Sequence, residues 1–156
     1  MLNKEENILA ILGPTNTGKT YTAFEKLLSY SSGIFGFPLR LLARENYEKA
    51  VNRIGLSKVA LITGEEKIYP KEAKYFFCTV ESMPKNISVD CVIIDEVQLA
   101  ADYERGHIFT DRILNLKGNF LTIFLGSLNI ENILKKIYPI LKLKKKIDFL
   151  NFGFLE

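Results

Sequence analysis

The sequence predicts an α/β domain built on a mostly parallel central sheet with helices on both faces. Short apolar runs alternate with stretches of helical periodicity along most of the 156-residue chain, the pattern of successive βαβ units. The first run, Ile8–Leu12, opens directly into GPTNTGKT at 13–20, which satisfies GxxxxGK[ST] at every fixed position. A second run, VDCVII at 89–94, ends in Asp95-Glu96-Val97-Gln98. A continuous apolar run of that kind suits a central parallel strand covered on both faces.

Taken in order, Ile8–Leu12 is a buried strand and 21–30 a helix, bracketing the loop as the phosphate-binding motif requires. Gly33–Phe37 is the next strand, and Pro38 stands where a helix opens, since proline is tolerated at the first helical position. Leu39, Leu42, Ala43, Ala50, Val51 and Ile54 mark an amphipathic helix that ends at Gly55. Val59–Ile62 is a strand closing on Thr63-Gly64-Glu65-Glu66, and 74–80 is another, followed by a turn broken by Pro84. After the strand at 89–94 come a helix at 105–116, a strand at 120–125 ending in Gly126-Ser127, and a helix at 130–138. Residues 1–140 are expected to form one unit. Residues 141–156, with Lys144-Lys145-Lys146 and the apolar DFLNFGFLE end, are expected to be a lysine-rich linker, a segment packed on the body, or the start of a further domain.

At 47% hydrophobic and 25% charged, the composition is that of one globular domain with an adequate core. No apolar run approaches the ~20 residues that cross a bilayer, so no membrane partner is expected. The N-terminal MLNKEEN is neither a signal nor an Arg-rich transit segment, which points to a cytoplasmic setting. Cys78 and Cys91 each sit in an apolar run and form no CxxC pair, so they read as buried free thiols. Net charge is +3, but six of the 21 basic residues fall within 135–146, leaving 15 against 18 acidic residues. A slightly acidic body is not an electrostatic nucleic-acid footprint, so any such binding must rest on local contacts.

The loop at 13–20 comprises Gly13, Pro14, Thr15, Asn16, Thr17, Gly18, Lys19 and Thr20. Polyphosphate requires converging backbone N–H groups without side chains in the way, which Gly13 and Gly18 permit, and the helix start adds its positive dipole end. Lys19, expected to face solvent in the free protein, reaches the β and γ phosphates of ATP, and the Thr20 hydroxyl ligates magnesium. Ligands in open α/β sheets lie outside the carboxyl ends of the strands, where Asp95 and Glu96 stand. Asp95 is assigned to the metal and Glu96 to positioning and deprotonating the attacking water. Ser127, at another strand end, is either a γ-phosphate sensor or a plain Gly-Ser turn.

GPTNTGKT, PLRLLARE at 38–45, TGEE at 63–66, CTVE at 78–81, IDEVQ at 94–98 and RGHIFT at 105–110 together resemble the successive motifs of the first RecA-like domain of a superfamily 2 ATP-dependent RNA helicase. The likeness is to the group of the mitochondrial degradosome RNA helicase and its bacterial relatives. The resemblance implies a RecA-like P-loop NTPase fold and catalytic roles for Lys19, Asp95, Glu96 and Gln98, the last coupling nucleotide to nucleic acid. It implies RNA contacts at Pro38, Leu39 and Arg40, where a helix start meets the backbone, and at Thr63, Gly64, Thr79 and Glu81. As partners it implies RNA, held weakly by this domain alone, a second RecA-like domain in cis or in trans, and an exoribonuclease. Nothing after Ser127 resembles a second domain, so the chain is expected to be a fragment, a degenerate gene product or a subunit completed in trans. Phe109 stands where relatives often carry tryptophan, and His107 reads as a structural helix residue. Two other classes compete: a thymidine-kinase-like nucleoside kinase, whose zinc-binding cysteines and lasso-like loop are missing from the sequence, and a non-catalytic nucleotide-binding module.

Overall fold

The computed structural model describes residue 4 and residues 7–146, so the apolar end at 147–156 lies outside the described residues. The chain lays down β1 (Ile8–Leu12), α1 (Lys19–Leu28), β2 (Gly33–Phe37), α2 (Arg40–Ile54), β3 (Val59–Ile62), β4 (Lys67–Ile68), β5 (Tyr75–Thr79), β6 (Cys91–Ile94), α3 (Gly106–Asn115), β7 (Leu121–Gly126), α4 (Glu131–Ile137) and β8 (Lys142–Lys145). All strands join one sheet in the order β4-β3-β5-β2-β6-β7-β1-β8. Every pairing is parallel except β3 with the two-residue β4.

Helices cover both faces because the central strands are apolar on both. On one face α1 and α2 set Ala23, Phe24, Leu27, Ala43, Tyr47 and Ala50 against Phe35, Phe37 and Phe77, with the Phe35 and Phe37 rings stacked at 4.1 Å between centroids. The opposite face buries Phe109 and Ile113 of α3 and Leu134 of α4 against Ile94 and Phe124. Each fully buried phenylalanine stabilises the fold by about 1.5–3 kcal/mol. Cys78 and Cys91 are buried free thiols within this core. Among the described residues no helix is long and apolar enough to cross a membrane.

Three features depart from the sequence expectations. Leu39, not Pro38, occupies the N-cap position of α2, with extended backbone at φ −129°, ψ 138°. The short hairpin strand β4 carries too few residues to show a period. Lys142–Lys145, placed in a linker by its charge, runs parallel to β1 from Leu9↔Lys142 to Leu12↔Lys145. Its one apolar residue, Leu143, packs against the core while the lysines line the outer edge, and charged side chains there discourage pairing with another sheet.

Candidate functional site

The strand order divides the carboxyl-end edge of the sheet into two halves. The ends of β1, β7 and β6 are neighbours, which gathers the phosphate loop, Gly126-Ser127 and Asp95-Glu96. The ends of β3, β5 and β2 are also neighbours, which gathers Thr63-Gly64, Thr79 to Glu81, and Pro38 to Arg40. A cleft of about 660 Å³ lies over the first half and reaches the seam between them. It is lined by Thr15 to Tyr21 of the loop and α1, by Asp95, Glu96 and Leu99, and by Pro38, Leu39, Leu42 and Arg105.

The phosphate loop is held at both ends. Gly13 N donates to Gly126 O at 2.9 Å, tying it to β7. A Cβ on Gly13 would fall 2.4 Å from the Lys146 carbonyl oxygen, so this glycine admits the chain leaving β8 as well as letting the loop curl. Gly18 caps α1 at φ 80°, a conformation glycine adopts freely. Lys19 departs from its expected solvent exposure. It is 7% exposed and its Nζ donates to Gly13 O at 2.7 Å and to Pro14 O at 2.5 Å. Burial pulls its pKa down from the ordinary lysine value, against the opposing pull of Glu96 and Asp95.

Asp95 is 5% exposed, and its carboxyl is pushed up to about 7 by burial and then by the Glu96 charge, opposed by the Glu96 amide and Lys19. Its Oδ1 accepts that amide at 2.9 Å. Glu96 adopts a left-handed backbone, φ 53° and ψ 48°, which costs about 1–3 kcal/mol for a residue of this kind and collects at functional sites. The Gln98 side chain joins two strand ends. Its Nε2 donates to the Glu96 carboxylate and its Oε1 accepts the Ser127 amide at 3.1 Å. Ser127 therefore meets the site through its main chain, while its hydroxyl donates to the Asn129 side chain. Thr20, Asp95 and Glu96 all line the cleft and offer hard oxygen donors, few enough for magnesium, which keeps several waters and phosphate oxygens in its shell.

On the second half, the α2 cap shows no side-chain hydrogen bond, and the first helical bond is Ala43 N to Leu39 O at 3.1 Å. The first-turn N–H groups beside Arg40 therefore lack acceptors within the helix. Arg40 is paired with Glu65, and Arg44 with Glu66. Thr63 is buried, its hydroxyl accepting the Glu65 and Glu66 amides at 3.2 and 3.0 Å, so it shapes the turn. Glu81 is gripped through its side chain by Arg105, which caps α3, and through its main chain by Arg112 of α3. Arg105 donates to both of its carboxylate oxygens at 2.7 and 3.0 Å, and Arg112 donates to Val80 O at 3.0 Å and Glu81 O at 3.1 Å. Burial raises the Glu81 pKa, but the Arg105 hydrogen bonds, a backbone hydrogen bond and the charges of Arg105 and Arg112 together hold the carboxyl below its ordinary value. His107 is exposed on α3.

Sequence reasoning assigned no role to Arg105 or Arg112. A usable signal was their spacing of seven, about two helical turns, from the residue that caps α3 to Arg112 within it.

Residues 3–147 match the family described as DEXQc_Suv3, the DEXQ-box helicase domain of Suv3. The chain is 38% identical over 125 residues to the mitochondrial DExH-box ATP-dependent RNA helicase DExH18 of Arabidopsis thaliana, covering 80% of this chain and 16% of that protein. It is 40% identical over 117 residues to the mitochondrial ATP-dependent RNA helicase SUV3 of Saccharomyces cerevisiae, covering 70% and 15%. In fold it is similar to the Pyrococcus furiosus Hef helicase domain, with TM-score 0.64, 20% identity and coverage of 94% of this chain and 36% of that one. The sheet and its helices thus have the RecA-like arrangement. The chain spans about a sixth of the length of these curated relatives. Both relatives are named mitochondrial, which overturns the cytoplasmic expectation. The first seven residues do not carry the compartment information drawn from them.

Proposed function

Because the chain belongs to the Suv3 family of DEXQ-box helicase domains, we propose that it is the first motor domain of a mitochondrial RNA helicase, binding ATP and magnesium and coupling hydrolysis to RNA unwinding once joined by a second RecA-like domain. One observation supports this above the rest: a single cleft is lined by Lys19 and Thr20 of the phosphate loop, by Asp95 and Glu96, and by Pro38 and Leu39 of the proposed RNA-facing edge. An exoribonuclease partner belongs to the same proposal, on family resemblance alone.

The chain's own residues divide the work. Lys19 exchanges its two carbonyl acceptors for phosphate oxygens, a charge-assisted contact in a confined setting. Thr20 and Asp95 hold the cation, and a raised Asp95 carboxyl gains most from a positive neighbour. When bound, the magnesium nucleotide supplies the electrophilic phosphorus and the leaving group. Glu96 orients a water and takes its proton on the carboxylate, while Gln98 fixes that carboxylate relative to β7. Arg40 and the first turn of α2 hold RNA phosphate, with Arg40 giving up Glu65 in doing so.

The kinase alternative gains no support from the comparisons. The test is ATP-driven displacement of a labelled strand from a tailed RNA duplex. The 156-residue chain alone is expected to hydrolyse ATP slowly and displace nothing, because an arginine finger worth about 10³–10⁵ in rate comes from elsewhere. Joining a helicase C-terminal domain after the final lysine run should restore RNA-stimulated turnover and displacement. Robust displacement by a proven monomer of the chain alone would refute the single-motor reading.

A further inference from the structure

Arg105 sits at the seam between the two halves of the sheet edge. Its Nη2 donates to Pro38 O at 2.8 Å and to Glu81 Oε1 at 3.0 Å, and its Nε donates to Glu81 Oε2 at 2.7 Å. One guanidinium therefore bridges the ends of β2 and β5, both in the proposed RNA-facing set. The same side chain lines the cleft that the phosphate loop, Asp95 and Glu96 also line.

Its placement is firm. Asp102 Oδ1 accepts the Glu104 and Arg105 amides at 2.9 and 2.8 Å, fixing the turn that launches α3. The guanidinium carbon lies 5.3 Å from the centroid of the buried Phe109 ring, within range of a cation–π contact. The peptide link back to Glu96 is short: Leu99 N donates to Glu96 O at 3.0 Å, and Asp102 N to Leu99 O at 2.9 Å. Main-chain bonds thus run from Glu96 to Asp102, whose carboxylate accepts the amide of the residue that holds both loops. A planar fork with five donors fits this three-way contact, and a lysine ammonium cannot reproduce its geometry.

We propose that Arg105 is a positioning residue that couples occupancy of the nucleotide cleft to the arrangement of the RNA-facing loops at Pro38 to Arg40 and Thr79 to Glu81. The inference rests on the helicase reading of the cleft. Reciprocity requires that whatever nucleotide does to these loops, RNA on the loops does to nucleotide affinity.

The test is amide hydrogen exchange on the 156-residue chain, with and without magnesium and a non-hydrolysable ATP analogue. In the wild type, the nucleotide is expected to slow exchange at 13–20 and, by about fivefold or more, at 39–42 and 80–83. In Arg105→Lys and Arg105→Ala, protection at 13–20 should persist while the nucleotide-dependent change at 39–42 and 80–83 disappears. A purely structural role would instead speed exchange at those loops equally in both conditions, leaving the nucleotide-dependent difference intact, and that result would overturn the inference. Glu81→Gln, which leaves every side chain of α3 in place, should weaken the response at 80–83 in the same way. An unresponsive wild-type 39–42 and 80–83 beside a protected 13–20 also sinks the coupling role, whereas no protection at 13–20 sinks the helicase reading and the inference with it.

Discussion

Asp95→Asn isolates one buried carboxyl of the cleft lining. The folded carboxyl sits at about 7 against an ordinary value of 3.8, with burial the largest cause. Across that interval the folded protein holds a proton that the unfolded chain has released, so wild-type stability falls as pH rises through it. Below about 4 both states are protonated and there is no penalty; above about 7 the penalty is complete and constant. At about 1.4 kcal/mol per pH unit, the interval sets a ceiling of about 4 kcal/mol. Asparagine keeps an Oδ1 acceptor for the Glu96 amide, which the carboxylate accepts at 2.9 Å, and removes the titration. Urea unfolding of both proteins at steps from pH 4.5 to 8.5 reads the difference, in which titrating groups remote from Asp95 cancel. The variant should gain on the wild type as pH rises and level off above about 7.5, ending more stable by roughly 2–4 kcal/mol. Magnesium and ATP should offset that difference at pH 8 by stabilising only the wild type strongly, by about 4.1 kcal/mol at a thousandfold excess over Kd. A difference that stays flat across the whole range would refute the buried, unneutralised carboxylate on which the metal assignment depends.

Lys19→Ala should weaken Mg-ATP binding by about ten- to a hundredfold through loss of a charge-assisted contact of about 1.5–3 kcal/mol, read by calorimetry; unchanged affinity in a folded variant would sink the assignment. Because Lys19 also caps Gly13 O and Pro14 O, a stability loss of about 1 kcal/mol should accompany it. Glu96→Gln should retain the nucleotide and lose turnover by about 10²–10⁴-fold in single-turnover assays, and equal loss of both would place Glu96 on the metal instead. Arg112→Met keeps the apolar stem but strips the donors from Val80 O and Glu81 O, so unfolding midpoints should report a loss of about 2–4 kcal/mol; an unmoved midpoint would mean those carbonyls find other partners.

The elements most legible in the sequence are those whose environment is uniform along their length. β2 and β3 are apolar on both faces, and their expected bounds, Gly33–Phe37 and Val59–Ile62, coincide with the strands found. β8 was hidden because an edge strand needs little apolar surface, and Leu143 alone gives no period in Lys142–Lys145. Lys19 was misjudged because a motif specifies what a side chain does with ligand, while its free-state position is decided by the nearest unsatisfied carbonyls, here Gly13 O and Pro14 O. Periodicity also orders strands along the chain and is silent on their order across the sheet. That second order carries the function. β2 and β6 are separated by α2, β3, β4 and β5 in sequence, yet they pair in register from Gly33↔Cys91 to Gly36↔Ile94. Asp95 N then donates to Gly36 O at 2.9 Å, two residues before Pro38. The residue proposed to hold the metal is thus bonded through its main chain to β2, two residues before the proposed RNA-facing turn. Arg105 adds a bond at Pro38 O, so the end of β2 is held at Gly36 by the residue that follows β6 and at Pro38 by the residue that caps α3.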